Sequence, residues 1–232
     1  MKDIAPELLQ KLQRAFRKRF NDNEKVSKIL STIKDGKPTY SEVNDLSIEV
    51  GDILAEVFKE NLSSDILPDG RMYYNIAKRT VEPMMINNYD IVTDSAAIVQ
   101  EVLNRQAGIG IKAQIPELNQ NRIDGIIDRL DNEEVFDDIK WILDEPIKNF
   151  TQAIVDDSIE KNAEFHEALG LKTKVTRIVR GDCCDWCRQI AGEYQYPNVP
   201  KDVYRRHRYC RCTVEYDPGD SRKQDVWTKQ WR

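Results

Sequence analysis

Through the first 165 or so residues, apolar positions recur at three- and four-residue spacing, the pattern of helices that bury one face. In "APELLQKLQRAFRKRF" (5–20), Leu9, Leu12, Phe16 and Phe20 form a stripe, with Arg14, Lys18 and Arg19 between them. "NDNEKVSKILSTIKDG" (21–36) places Val26, Ile29, Leu30 and Ile33 on one face and then stops at Gly36. "SEVNDLSIEVGDILAEVFKENL" (41–62) carries Val43, Leu46, Val50, Ile53, Leu54 and Val57. Its interior Gly51 costs about 1 kcal/mol relative to alanine, which predicts a close approach or a bend there. "LPDGRMYYNIAKRTVEPMM" (67–85) reads as broken at Gly70 and Pro83. A further helix is expected in "NNYDIVTDSAAIVQEVLNRQAG" (87–108), ended by Gly108.

The two glycines and the proline of "GIGIKAQIPELNQ" (108–120) predict a loop. Helical spacing returns in 119–132 and in 135–170, where Pro146 should begin a helix or kink one. After Gly170 the period shortens. "KVTRIVR" (174–180) alternates Val175, Arg177 and Val179 against Thr176, Ile178 and Arg180, and "TVEY" (213–216) is a second β-rich run closed by "DPGD". Both predict short strands. The expected fold is mainly α: a helical body over residues 1–170, a small cysteine-rich α+β unit over 171–217, and a tail over 218–232. The expected boundary falls at Leu169–Lys172.

Composition adds two constraints. The chain of 232 residues is 40% hydrophobic and 32% charged, enough for a packed core. It contains no run of about 18 apolar residues, so no transmembrane helix and no membrane partner are expected. "MKDIAPELLQKLQRAFRKRF" has no continuous apolar stretch, so no secretory signal is expected, and a reducing cytoplasm is the expected site of synthesis. Charge is uneven. Residues 171–232 hold 14 Lys/Arg against 8 Asp/Glu, a formal +6, while residues 1–170 hold 21 against 32, or −11. The basic C-terminal region is compatible with nucleic-acid contact and equally with solvated side chains.

All five cysteines lie in the last quarter. "GDCCDWCRQIAG" (181–192) holds Cys183, Cys184 and Cys187, and "RRHRYCRC" (205–212) holds His207, Cys210 and Cys212. Cys184 and Cys187 form a C-x-x-C pair, a spacing that points two thiolates at one ion. The 22 residues between Cys187 and Cys210 can fold back and bring H-x-x-C-x-C to the same ion. Cys184, Cys187, His207, Cys210 and Cys212 are therefore candidate ligands of one zinc, with Cys183 a further one. The favoured set is Cys184, Cys187, His207 and either Cys210 or Cys212. Two disulfides, or buried free thiols, remain the other readings. A structural metal would compensate for the small core of so short a unit. Nothing marks one cysteine as a nucleophile, and His207 is read as a ligand rather than a catalytic base. Trp186, Tyr194, Tyr196, Tyr204 and Tyr209 are suited to covering the unit. Arg205, Arg206, Arg208 and Arg211 flank the site and are candidate phosphate contacts.

"CDWCRQIAGEY" followed by "VYRRHRYCRCTVEY" resembles the C-terminal signature of phage minor head proteins of the Mu F-like, or SPP1-type head morphogenesis, family. Cys184, Cys187, Gly192, His207, Cys210, Arg211 and Cys212 fall on its pattern one by one, and the likeness covers about residues 175–217. Many members place a proline after the histidine, where this chain has Arg208. The resemblance implies a virion component at or near the portal vertex, made in the host cytoplasm, with the portal protein and the major capsid or scaffold protein as partners. It also implies a role in head assembly and in handling packaged or ejected phage DNA, with no enzyme activity. The competing expectations are a zinc-supported nuclease, an ADP-ribosyltransferase-like effector, and a free DNA-binding regulator with a zinc ribbon. The effector would need a Ser-Thr-Ser-like strand, and the nearest match, "LSTIK" (30–34), sits in a helical pattern.

Overall fold

Local signals in the chain set the helix ends in the computed structural model, which describes residues 3–181 and 183–219. Helix α1 (Ala5–Asp22) has Pro6 in its first turn, where a missing N–H costs nothing. It buries Leu8, Leu12 and Phe16, while Leu9 and Phe20 are only half-buried, so its apolar stripe is centred on Leu8 rather than Leu9. The Asn23 side chain caps α2 (Glu24–Asp35) by accepting from the amides of Lys25 and Val26 at 2.9 and 3.0 Å. Gly36 ends that helix as expected. Helix α3 (Tyr40–Asn61) opens with a capping box in which the Thr39 amide donates to Glu42 Oε2 at 2.7 Å.

The break expected at Pro83 does not occur. Helix α4 runs unbroken from Tyr74 to Gln106 with Pro83 inside it. An interior proline costs about 3 kcal/mol, but its neighbours Val81, Met84 and Met85 are fully buried. Burying three such side chains outweighs the one lost hydrogen bond. Gly70, at φ 72°, does turn the chain ahead of α4, and Gly108, at φ 71°, follows its end. The loop after it runs without regular structure to Asn119, as the glycines predict. Asn162 holds that loop like a strand partner: it accepts from the Gln114 amide and donates to the Gln114 carbonyl, each at 2.8 Å.

Helices α5 (Gln120–Asp131) and α6 (Phe136–Ile139) and a 3-10 turn (Lys140–Leu143) lead into α7 (Glu145–Ala168), which has Pro146 in its first turn. Helices α3 and α7 pack closely. A Cβ on Gly51 would stand 3.1 Å from Lys148 Cα, so the glycine marks a close approach rather than a bend. Beyond Gly170, at φ 81°, the chain forms a three-stranded antiparallel sheet in the order β2-β1-β3, from β1 (Lys174–Ile178), β2 (Gly192–Gln195) and β3 (Thr213–Asp217). Both anticipated strands are present; β2 was not foreseen. The protein is thus mainly helical, with a small sheet and clustered cysteines at the C-terminal end.

The sheet does not carry a core of its own. Val175, Val203, Tyr204, Val214 and Tyr216 belong to the same buried cluster as the helices. Asn44 on α3 donates to the Val214 carbonyl at 3.3 Å, and His166 Nδ1 on α7 lies 2.6 Å from the Tyr216 hydroxyl. Beyond Gly219 the expected tail lies outside the described residues.

Two outcomes follow from this packing. Gly51→Leu should destabilise the fold by about 1–3 kcal/mol in urea denaturation, because the added atoms push against α7 backbone. His166 is fully buried, and burial lowers its pKa below the ordinary value. Its neutral form therefore stabilises the fold above about pH 6.5, and that contribution is lost as pH falls from there through the lower folded value. Between pH 7.5 and 5.5 the parent should lose more stability than His166→Gln, with a slope difference of up to about 1.4 kcal/mol per pH unit.

Candidate metal centre

The pairing of β1 with both of its neighbours determines where the cysteines meet. Strand β1 leads through a loop to the short helix α8 (Asp185–Gln189). Cys184 is the residue before α8, and Cys187 is its third residue, within the first turn. The chain then returns along β2, passes a 3-10 turn (Lys201–Tyr204), and reaches His207, Cys210 and Cys212 just before β3. Because Ile178 at the end of β1 is paired with Thr213 at the start of β3, the second ligand group is drawn back over the first.

Residues 207–210 form a β-turn, closed by the Cys210 amide donating to the His207 carbonyl at 3.0 Å. Its third residue, Tyr209, has φ 63°. Its second is Arg208, a position that proline suits in turns of this kind.

Cys187 is the hub of the cluster. Its Sγ lies 3.0 Å from His207 Nε2 and 3.9 Å from Cys210 Sγ, and Cys184 Sγ lies 3.4 Å from the same His207 nitrogen. Ligand atoms of Cys184, Cys187 and His207 lie within 4.8 Å of one another, and so do those of Cys187, Cys210 and Cys212. Sulfur and nitrogen ligands of a tetrahedral ion at about 2.0–2.3 Å stand about 3.5–3.8 Å apart. The donor set and its spacing could thus hold a metal ion. All five cysteines are free thiols, so the disulfide reading has no bond in its favour. Cys183 packs beside the cluster but belongs to neither group.

The electrostatics favour thiolate at one sulfur, that of Cys210. The Cys212 thiol hydrogen-bonds Cys210 and, with Arg206 and Arg177 nearby, holds the Cys210 thiol down to about 4 against the effect of burial. The same bond, together with burial, pushes Cys212 up. Burial also raises Cys187. His207 Nδ1 lies 2.7 Å from the Arg208 carbonyl, which leaves Nε2 facing the sulfurs. The Trp186 ring meets the imidazole edge-on at 5.5 Å.

The arginines divide. Arg205 is exposed and pairs with Asp202 at 2.9 Å, and Arg208 is exposed with its guanidinium 4.9 Å from the centre of the Tyr209 ring. Arg211 is about one-third exposed and pairs with Glu145 at 3.2 Å.

Arg206 overturns its expected role as a phosphate contact. Its side chain is 1% exposed, and it grips both oxygens of the fully buried Asp156 on α7, at 2.5 and 2.7 Å. It also donates to Asn44 Oδ1 on α3 at 2.9 Å and to the Cys212 carbonyl. Burial works against its charge, yet Asp156 together with the Cys210 and Cys212 sulfurs keeps its pKa above the usual value, while burial raises the Asp156 carboxyl despite Arg206. A guanidinium so enclosed is closed to phosphate.

The aromatic residues divide as well. Trp186 packs on the cysteines, while Tyr194, Tyr196 and Tyr204 pack on the main core and Tyr209 is 62% exposed.

Sequence reasoning missed Arg177. It is 1% exposed, donates to the Val203 carbonyl, and points Nη2 at Cys210 Sγ at 3.4 Å. Its signal was an arginine in register with Val175 on the buried face of β1. "LSTIK" (30–34) lies within α2 rather than on a strand.

No protein-family model, no curated protein and no solved structure matches this chain.

Removing one member of a buried ion pair strands the other. Asp156→Asn should therefore destabilise the protein by about 3–5 kcal/mol in chemical denaturation, far more than neutralising the exposed Arg205.

Proposed function

We propose that this chain is a structural minor head protein of a tailed phage, seated at the portal vertex, whose C-terminal unit is held by one zinc ion. The convergence of C-x-x-C and H-x-x-C-x-C on Cys187 carries the reading. The seven positions that resemble the head-morphogenesis signature include all five potential ligands on the two converging segments. Thiolate and imidazole donors, in two close groups that share Cys187, suit zinc among the common divalent ions. When bound, the ion would supply a cross-link between α8 and the segment ahead of β3. The residues around it orient and shield those donors: Arg177 and Trp186 enclose them, and Arg206 ties their loop to α3 and α7.

On this reading the unit presents a fixed surface to the portal protein and to the major capsid or scaffold protein. Any contact with phage DNA would fall to the exposed Arg205 and Arg208. Among the described residues no helix is long and apolar enough to cross a membrane.

Protein purified without added metal should carry about one equivalent of zinc by elemental analysis. It should co-purify with procapsids or mature particles at few copies. Cys187→Ser should lose both the zinc and its place in the particle. Zinc-free protein with two disulfides by thiol-alkylation mass shift, or a chain absent from particles, would refute the reading. If DNA is bound, affinity should fall with rising salt, and the double variant Arg205→Gln/Arg208→Gln should flatten that dependence by about two contacts.

A further inference from the structure

The helical body carries more acid than base, yet its first helix does the opposite. Between Leu8 and Phe20 the chain holds Lys11, Arg14, Arg17, Lys18 and Arg19 and no acidic residue. Leu8, Leu12 and Phe16 turn one face of α1 into the core. The 3.6-residue period then brings Lys11, Arg14, Arg17 and Lys18 to the outer side, where all four are exposed. Gln10 and Gln13 lie among them and are exposed as well. At 1.5 Å per residue the patch is about 10 Å long from Lys11 to Lys18. Nothing within the described residues answers these charges. Arg19 is taken up by Glu56 and Glu60, at 2.8 and 2.5 Å. The side chains of the other four make no ion pair or hydrogen bond among the described residues. In the C-terminal unit, by contrast, Arg206 is enclosed, and Arg205 and Arg211 each hold an acid. Lys11 and Arg14, Arg14 and Arg17, and Arg14 and Lys18 stand three or four residues apart, where like charges repel. A stripe that works against its own helix and has no internal partner is the electrostatic footprint of an outside polyanion.

The make-up of the face selects among polyanions. A helix that lies on an anionic membrane needs a free apolar face for the lipid, and the apolar face of α1 is packed into the core. An acidic protein surface would be met around a core of apolar contacts, and α1 exposes no large apolar side chain. Unpaired strands are held by stacking on aromatic rings, and none of the exposed residues of α1 is aromatic. Lysine, arginine and glutamine side chains together are the groups that hold phosphate oxygens of a duplex. We infer that the outer face of α1 binds the phosphates of duplex DNA, through Lys11, Arg14, Arg17 and Lys18. For the source of that DNA the inference rests on the phage reading above; the surface itself stands on its charges. It lies on the body, apart from the cysteine-bearing unit.

The test uses the full chain and a short labelled duplex of mixed sequence, with affinity measured by fluorescence anisotropy across a salt series. The combined variant Lys11→Gln/Arg14→Gln/Arg17→Gln/Lys18→Gln should flatten the slope of log affinity against log salt by about 3.6, four contacts at about 0.9 each. Arg205→Gln/Arg208→Gln should flatten it by about half as much. In the parent, bound duplex should slow acetylation of Lys11 and Lys18 and leave Lys112, exposed in the loop after α4, unchanged. An unchanged slope in the α1 variant, or a parent that binds no duplex, would overturn the inference. So would parental binding to polyglutamate, or to vesicles of phosphatidylserine and phosphatidylcholine, that matches binding to the duplex. If the α1 variant does not fold, the acetylation pattern of the parent decides. None of these outcomes touches zinc content or particle association, on which the head-protein reading stands. A chain absent from particles would remove that reading and leave the surface to be judged by the slope.

Discussion

The buried pair between Arg206 and Asp156 is the joint on which the C-terminal unit turns. Asp156 sits in the middle of α7, and Arg206 comes from the loop that carries His207, Cys210 and Cys212. The same guanidinium reaches Asn44 on α3 and the carbonyl of Cys212. One side chain thus ties two body helices to the ligand loop. Desolvating two charges is expensive, and the bidentate geometry offsets it only when the loop is seated in one way. The pair therefore acts more as a constraint on docking than as a source of net stability. It fixes the face of the unit that stays outside, where Cys184, Arg205 and Arg208 are exposed.

The body beneath is built to hold that seat still. Helices α3 and α7 approach closely through Gly51, and α4 continues past Pro83 because the side chains around it are buried. Buried amides take the place of regular structure where the chain is irregular. Asn162 pairs with the backbone of Gln114, and Asn104 donates to the Ile111 carbonyl at 2.9 Å. A rigid body keeps the cysteine-bearing loop seated in one place. The cysteines form their own small cluster beside the main core.

Much of this was legible in the chain because it depends on neighbours in sequence. Helical stripes, the stops at Gly36 and Gly108, the start at Pro146, the two strands and the convergence of the cysteines all follow from local period, backbone preference or ligand spacing. The close approach at Gly51 was also signalled, since a glycine inside a strong helix needs a reason. Other features were decided by contacts far apart in sequence. Pro83 stays helical because distant helices bury its neighbours. Strand β2, short and mostly exposed, has no apolar alternation to reveal it and exists because β1 offers it an edge. Arg206 looks like any other member of a basic run until Asp156, fifty residues earlier, is brought against it. Arg177 reads as a strand residue until the fold places sulfur at its tip. Sequence by itself determined the helical character of the body, two of the three strands and which cysteines and histidine come together, because those rest on local geometry and residue chemistry. Only the tertiary structure decided which charges are buried, because burial depends on what the rest of the chain brings to cover them.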